Sequence, residues 1–237
     1  MTGKIDLLLT AALFAVATAA VAADADGRKE AKLEEGFTSM FNGRDLTGWE
    51  GKPGEWTVKD GAMFCQSTPE RPCKKHHYLM WRGGEPGDFI LRFSYRMVGG
   101  NSGIQFRSEE LPGWDTCGYQ ADIEAGTQWT GCLFHHKRGG VAMRGTKVQI
   151  APDGEKTIEQ FADPAELQKL IKPNDWNDYE VIAKGSEITL KINGHLMTQV
   201  DDRHETMAAR KGVLALQMHP GPPMTIEFKN LRIKELK

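Results

Sequence analysis

The sequence predicts an all-β fold in which two antiparallel sheets pack as a sandwich. Three observations lead there. Alternating or short apolar segments recur about a dozen times along the chain. Turn chemistry separates them, with 26 glycines in 237 residues, about 11% against an average near 7%. Helical patterning is confined to one short stretch, Pro164 to Leu170.

The elements follow in order. Phe37 to Trp49 is a turn-rich entry. Trp56–Val58 and Ala62–Phe64 flank Lys59-Asp60-Gly61, and Asp-Gly between apolar runs signals a hairpin. Phe89, Leu91, Phe93, Tyr95 and Met97 alternate with Ile90, Arg92, Ser94 and Arg96, the period of a half-buried strand. Gly99-Gly100 turns into Asn101–Arg107. Further strands are expected at Tyr119–Glu124, Gly131–Phe134, Lys147–Ile150, Tyr179–Ala183, Glu187–Ile192, His195–Val200, Gly212–His219 and Met224–Ile233. Asn193-Gly194 marks a second hairpin.

Thirty basic against 32 acidic side chains give a net charge of −2, without the basic footprint of a nucleic-acid protein. Residues 1–22 read as a secretory signal peptide: Lys4, an apolar run from Leu7 to Ala20, then the small-x-small sequence Ala20-Val21-Ala22. That segment predicts export to the periplasm or the medium and no membrane span after cleavage. Residues 23–33 form a polar leader, and 34–237 a single domain. Four cysteines behind a signal peptide suggest two disulfides. Cys65–Cys73 across a short polar loop is the favoured pair, which leaves Cys117 with Cys132.

Strand alternation also places polar groups. Asn101, Gly103, Gln105 and Arg107 share one side of their strand, opposite Ile104 and Phe106. Gln120, Asp122 and Glu124 oppose Ala121 and Ile123. Val213, Ala215, Gln217 and His219 oppose Leu214, Leu216 and Met218. Amides, carboxylates and an imidazole beside Ala and Gly suit a ligand-binding concavity better than a solvated face. His135 and His136 are either ligands or loop residues, with the loop reading preferred. Trp49, Trp114 and Trp129 either stack on sugar rings or pack.

At this point the motifs become recognisable as a set. Gly36-Phe-Thr-Ser-Met-Phe-Asn-Gly-Arg-Asp-Leu-Thr-Gly-Trp49, Asn101-Ser-Gly-Ile-Gln-Phe-Arg107, Gly118-Tyr-Gln-Ala-Asp-Ile123, Trp176-Asn177, Leu216-Gln-Met-His-Pro-Gly-Pro-Pro-Met224 and the ending Ile226–Leu236 together resemble the 3-keto-disaccharide hydrolase domain family. The resemblance covers nearly all of residues 34–237. It implies a concanavalin-like jelly roll and action on glycosides whose sugar carries a C3 ketone. Two departures stand out. Many relatives read Gly-Tyr-Glu-x-Gln where this chain, like a subset of the family, has Gly118-Tyr119-Gln120-Ala121-Asp122, and relatives often have Tyr followed by acidic residues near Leu133–Arg138.

A ketone at C3 acidifies the C2 hydrogen, so a base starts elimination of the C1 aglycone and water then adds back. This route needs one base with a pKa near neutral, and a positive charge or a metal at the enolate oxygen. His219 is the expected base, with Arg107 and Asp122 as catalytic partners. Asn101, Gln105, Gln120, Glu124 and Gln217 are the expected substrate-binding groups. In the alternative version, Asp122 and His219 hold one divalent metal ion, of a kind the residues do not specify. The expected partners are a glycoside substrate and an upstream sugar 3-oxidoreductase. A non-catalytic carbohydrate-binding module is the rival reading.

Overall fold

The computed structural model describes residues 33–237, so the expected signal peptide and nearly all of the leader lie outside the described residues. In chain order the elements are β1 (Thr38–Ser39), β2 (Trp49–Gly51), β3 (Trp56–Lys59), β4 (Ala62–Ser67), β5 (His77–Trp81), β6 (Phe89–Val98), β7 (Asn101–Leu111), β8 (Asp115–Glu124) and β9 (Leu133–His135). They continue with β10 (Gly139–Ala142), β11 (Thr146–Ile150), β12 (Lys156–Gln160), α1 (Pro164–Gln168), β13 (Asn177–Lys184), β14 (Glu187–Ile192), β15 (His195–Asp202), β16 (Val213–Met218) and β17 (Met224–Glu235).

Two sheets form the sandwich. One runs β12-β11-β15-β14-β13-β6-β17-β4-β3, with β1 also on β17. The other, which carries the site, runs β10-β9-β8-β7-β16-β5-β2. The all-β jelly-roll expectation holds. Pairing is antiparallel except for β11 against β15, which is parallel because the chain crosses through β12, α1, β13 and β14 between them. Among the described residues no helix is long and apolar enough to cross a membrane.

The turns obey their residues. Asp60 and Gly61 (φ 51° and 75°) join β3 to β4, and Asn193 and Gly194 (φ 51° and 82°) join β14 to β15, both left-handed as a two-residue hairpin turn requires. Asp163 caps α1 by accepting from the Ala165 N–H. The core between the sheets is apolar and aromatic. Phe93 stacks on Tyr179 with centroids 5.2 Å apart, and Phe106 stacks on Tyr119 at 5.7 Å. Trp49 belongs here rather than to a sugar platform: it is buried, and its indole N–H donates to Met40 O at 2.6 Å.

The expected disulfides are absent, and all four thiols are free. Cys117 lies opposite Glu109 near the start of β8, whereas Cys132 shares backbone hydrogen bonding with Asp122, five residues further along that strand. At about 3.4 Å per residue this separates them by roughly 17 Å, far beyond disulfide reach. Cys132 Sγ instead accepts the Arg144 N–H and donates to Gln128 O. Cys65 and Cys73 are neighbours, with Cys73 Sγ donating to Lys75 O at 3.1 Å. Non-reducing peptide mapping is expected to find no Cys117–Cys132 linkage; its presence would contradict the β8–β9 register.

Candidate active site

The outer face of the β10–β2 sheet carries the polar residues in rows set by strand register. Met80, Ala215, Gln105, Gln120 and Phe134 lie opposite one another across β5, β16, β7, β8 and β9. In the next row Tyr78 opposes Gln217, and Gly103 opposes Asp122. Leu216 opposes Ile104, so Gln217 falls beside Gly103. A third row holds Asn101 opposite Glu124, with His219 just past the end of β16. Strand spacing near 4.8 Å and a rise near 3.4 Å per residue put Asp122 and His219 about 12 Å apart at Cα, two strands and two residues apart on the sheet.

Apart from half-buried Phe134, the first two rows are buried, and the third is half-exposed. Gln105, Gln120, Asp122, Gln217 and Tyr78 are each 3% exposed or less. Asn101, Glu124, Trp129, His136 and His219 form the half-buried rim. Trp129 packs edge-on against Phe134 at 6.0 Å, and Phe134 against His136 at 5.8 Å.

The buried groups bond to one another. Gln120 Nε2 donates to Asp122 Oδ1 at 2.6 Å and to Gln217 Oε1 at 3.2 Å. Gln105 Nε2 donates to Gln120 Oε1 at 2.8 Å and meets His136 Nδ1 at 3.1 Å. Gln217 Nε2 donates to Tyr78 Oη at 2.9 Å, and that hydroxyl lies 3.0 Å from His136 Nε2. Ser108 Oγ donates to Gln105 Oε1 at 2.7 Å. Gly103 makes the crossing possible. A Cβ there would lie 2.7 Å from Gln120 Cγ and 2.8 Å from Ala121 O. Gly103→Ala is therefore expected to push Gln120 off Asp122, destabilise the fold by about 1–3 kcal/mol and lower activity. A crystal structure of the variant with Gln120 in place would refute this.

Two groups are tuned in opposite senses. Burial pushes the Asp122 carboxyl up to about 8, with the Gln120 hydrogen bond opposing and the nearby Glu124 charge reinforcing the rise. Burial holds the His219 imidazole below its ordinary value, and neighbouring His76 acts the same way. His219 Nδ1 lies 2.5 Å from Pro220 O, which can only accept. The proton therefore sits on Nδ1, and Nε2 offers its lone pair. These shifts favour a protonated carboxyl and a singly protonated imidazole at neutral pH.

Sequence alternation places Gln105, Gln120, Asp122, Gln217 and His219 together, and the structure agrees. Arg107 is a correction. A bulge between Phe106 and Glu109 breaks the alternation of β7, and Arg107 takes φ 47°. Its guanidinium leaves the site face and donates to Gly87 O, Gly185 O and Asp88 Oδ1, at 2.8, 2.8 and 2.9 Å. Ser108 takes its place on that face. Glu124 is at the rim, but its carboxylate accepts the Gln128 and Trp129 N–H groups and so holds the 125–130 turn. Arg144 holds the same segment through Thr127 O and Thr130 O. Asn101 lies at the half-buried rim, opposite Glu124.

Asp122 Oδ1 already accepts the Gln120 N–H, and among the described residues no three His, Cys, Asp or Glu side chains converge on a metal position.

Two network members are ones the strand pattern missed. Tyr78 lies on β5, whose run His77-Tyr-Leu-Met-Trp81 does not alternate because both its faces are buried. His136 follows β9 in a segment read as loop, and its backbone N–H donates to Gly118 O.

The sequence profile of the 3-keto-alpha-glucoside-1,2-lyase-like domain matches residues 36–234. No curated protein matches the chain. Solved structures share its fold at low identity. A proposed glycosyl hydrolase from Parabacteroides distasonis superposes with a TM-score of 0.60 at 18% identity, covering 84% of this chain and 99% of that one. The carbohydrate-binding module CBM66 from Bacillus subtilis gives 0.52 at 15%, covering 78% and 94%. SCLam, a non-specific endo-beta-1,3(4)-glucanase of family GH16, gives 0.52 at 12%, covering 86% and 93%.

Proposed function

Because the chain belongs to the 3-keto-alpha-glucoside-1,2-lyase-like family, and its function is thereby carbohydrate-related, we propose that it cleaves 3-keto-glycosides by elimination and rehydration. The observation that carries this reading is the oppositely tuned pair on one sheet face, a protonated Asp122 and a neutral His219.

His219 Nε2 takes the C2 proton, and the C2–H electrons move into the C2–C3 bond as charge develops on the C3 oxygen. The Asp122 O–H donates a hydrogen bond to that oxygen, the role expected of Arg107 from sequence and now filled by a neutral acid. The charge then returns to re-form the ketone, the C1–C2 double bond forms, and the C1–O bond to the aglycone breaks. The His219 imidazolium gives its proton to the departing oxygen. Water adds across the double bond, with hydroxyl at C1 and hydrogen at C2, so the net result is hydrolysis. Asn101 and the rim of Trp129 and Glu124 contact the sugar. An oxidation at C3 must supply the substrate, as a sugar 3-oxidoreductase would.

The test offers the purified protein a 3-keto-glucoside and its unoxidised parent, with and without chelator. Aglycone release is expected from the keto compound alone, and chelator is expected to change nothing. Saturable binding of both without turnover would favour the carbohydrate-binding reading instead. The pH profile is a further check. kcat/KM should rise as His219 loses its proton below the ordinary value of 6.5 and fall as Asp122 ionises near 8. Activity undiminished well above that pH would exclude Asp122 as the acid.

The signal-like residues 1–22 support an exported location, periplasmic or extracellular. N-terminal sequencing from the native host is expected to find a start near Ala23 or Asp24; an intact Met1 on cytoplasmic protein would refute it.

A further inference from the structure

We propose that His136 is a positioning residue, held with its proton on Nε2, that fixes the direction of the buried amide chain so that the Asp122 proton stays available to substrate. This rests on the assignment of Asp122 as the acid.

The chain Gln105–Gln120–Asp122 has two possible directions, because an amide can turn over and exchange its donor and acceptor ends. In the observed direction Gln120 gives an N–H to Asp122 Oδ1. A protonated carboxyl then carries its hydrogen on Oδ2, free to donate elsewhere. In the reversed direction Gln120 would present its carbonyl oxygen, and the Asp122 O–H would donate to it instead of to substrate.

Reversal fails at His136. Turning Gln120 over requires Gln105 and Gln217 to turn over as well, since Gln105 Nε2 donates to Gln120 Oε1 and Gln120 Nε2 to Gln217 Oε1. Gln105 would then aim a carbonyl oxygen at His136 Nδ1. With the proton on Nε2, that is lone pair against lone pair. Moving the imidazole proton to Nδ1 does not help. Tyr78 would then have one proton for two acceptors, Gln217 Oε1 and His136 Nε2. In the observed direction each of these contacts joins a donor to an acceptor: Tyr78 Oη receives from both Gln217 and His136, and His136 Nδ1 receives from Gln105.

Only a doubly protonated His136 would satisfy the reversed chain. Burial holds its pKa below the ordinary histidine value. The Gly118 backbone contact and Asp115 act in the opposite sense, while His76 and His219 reinforce the lowering. His76 itself pairs with Asp115 at 3.0 Å, so that carboxylate is shared.

The experiment uses protein labelled at histidine nitrogens and at aspartate side-chain carbons. At neutral pH the His136 resonances should report an unprotonated Nδ1 and a protonated Nε2. In His136→Leu the Asp122 carboxyl should titrate at higher pH than in the parent, and turnover should fall at least about tenfold. His136→Asn, whose Oδ1 replaces Nδ1 as acceptor for Gln105, should recover most of both. A protonated Nδ1 in the parent would overturn the proposal even if His136→Leu failed to fold. So would an unmoved Asp122 titration in folded His136→Leu. These readings need no substrate, so a protein inactive on 3-keto-glycosides would count against the proposed function while the labels still decided the role of His136.

Discussion

Asp122→Asn is expected to lower kcat/KM on a 3-keto-glycoside by about 10²-fold or more, the usual cost of losing a positioned acid or oxyanion donor. The same change is expected to make the protein more stable at alkaline pH. Between the unfolded aspartate value near 3.9 and the folded value near 8, the unfolded chain has released the proton that the native state still holds. Stability therefore falls as pH rises through that window, on the order of 1 kcal/mol per pH unit from this group alone. Below about pH 4 both states are protonated and the effect vanishes. An amide in place of the carboxyl does not titrate, so the variant would carry no such dependence. Denaturant midpoints of the two proteins, compared from pH 4 to pH 8, should converge at the acid end and favour the variant at the alkaline end. Parallel curves would mean that Asp122 is ionised in the native state.

Arg107→Ala is expected to do the reverse, damaging the fold and sparing the chemistry. Its side chain is fully buried and donates to two backbone carbonyls and to Asp88, which is 40% exposed. Removing one partner of a buried ion pair costs about 3–5 kcal/mol, and the exposure of Asp88 favours the lower end. Two carbonyl oxygens would also lose their donor. Chemical denaturation measures the loss. kcat/KM per folded molecule should stay within about twofold of the parent, well short of the 10²-fold cost of losing an oxyanion donor. A stable but inactive variant would return Arg107 to the active site.

Strand alternation legibly placed Gln105, Gln120, Asp122 and Gln217, because a regular strand keeps i, i+2 and i+4 on one face. The hairpins at Asp60-Gly61 and Asn193-Gly194 were legible because their turns demand left-handed backbone. What stayed hidden has specific causes. Arg107 left the face at a bulge, and no residue type in Phe106–Glu109 announces one. Tyr78 sits in a strand buried on both sides, where period 2 disappears. His136 reaches the network from the β9–β10 connection, through contacts that only the assembled sheet brings together. The exposed edge strand β12 has no apolar alternation to reveal it. The cysteine pairing failed because parity says nothing about register along β8.

In the proposed reaction the bond to the aglycone breaks after the C2 hydrogen is removed. Turnover of a 3-keto-glycoside in D2O tests it most directly, with the sugar product examined by NMR or mass spectrometry. Elimination and rehydration place a solvent deuteron at C2, so the product should carry one deuterium there. Complete hydrolysis with the original hydrogen retained at C2 would contradict the account, because direct displacement at C1 never breaks that bond.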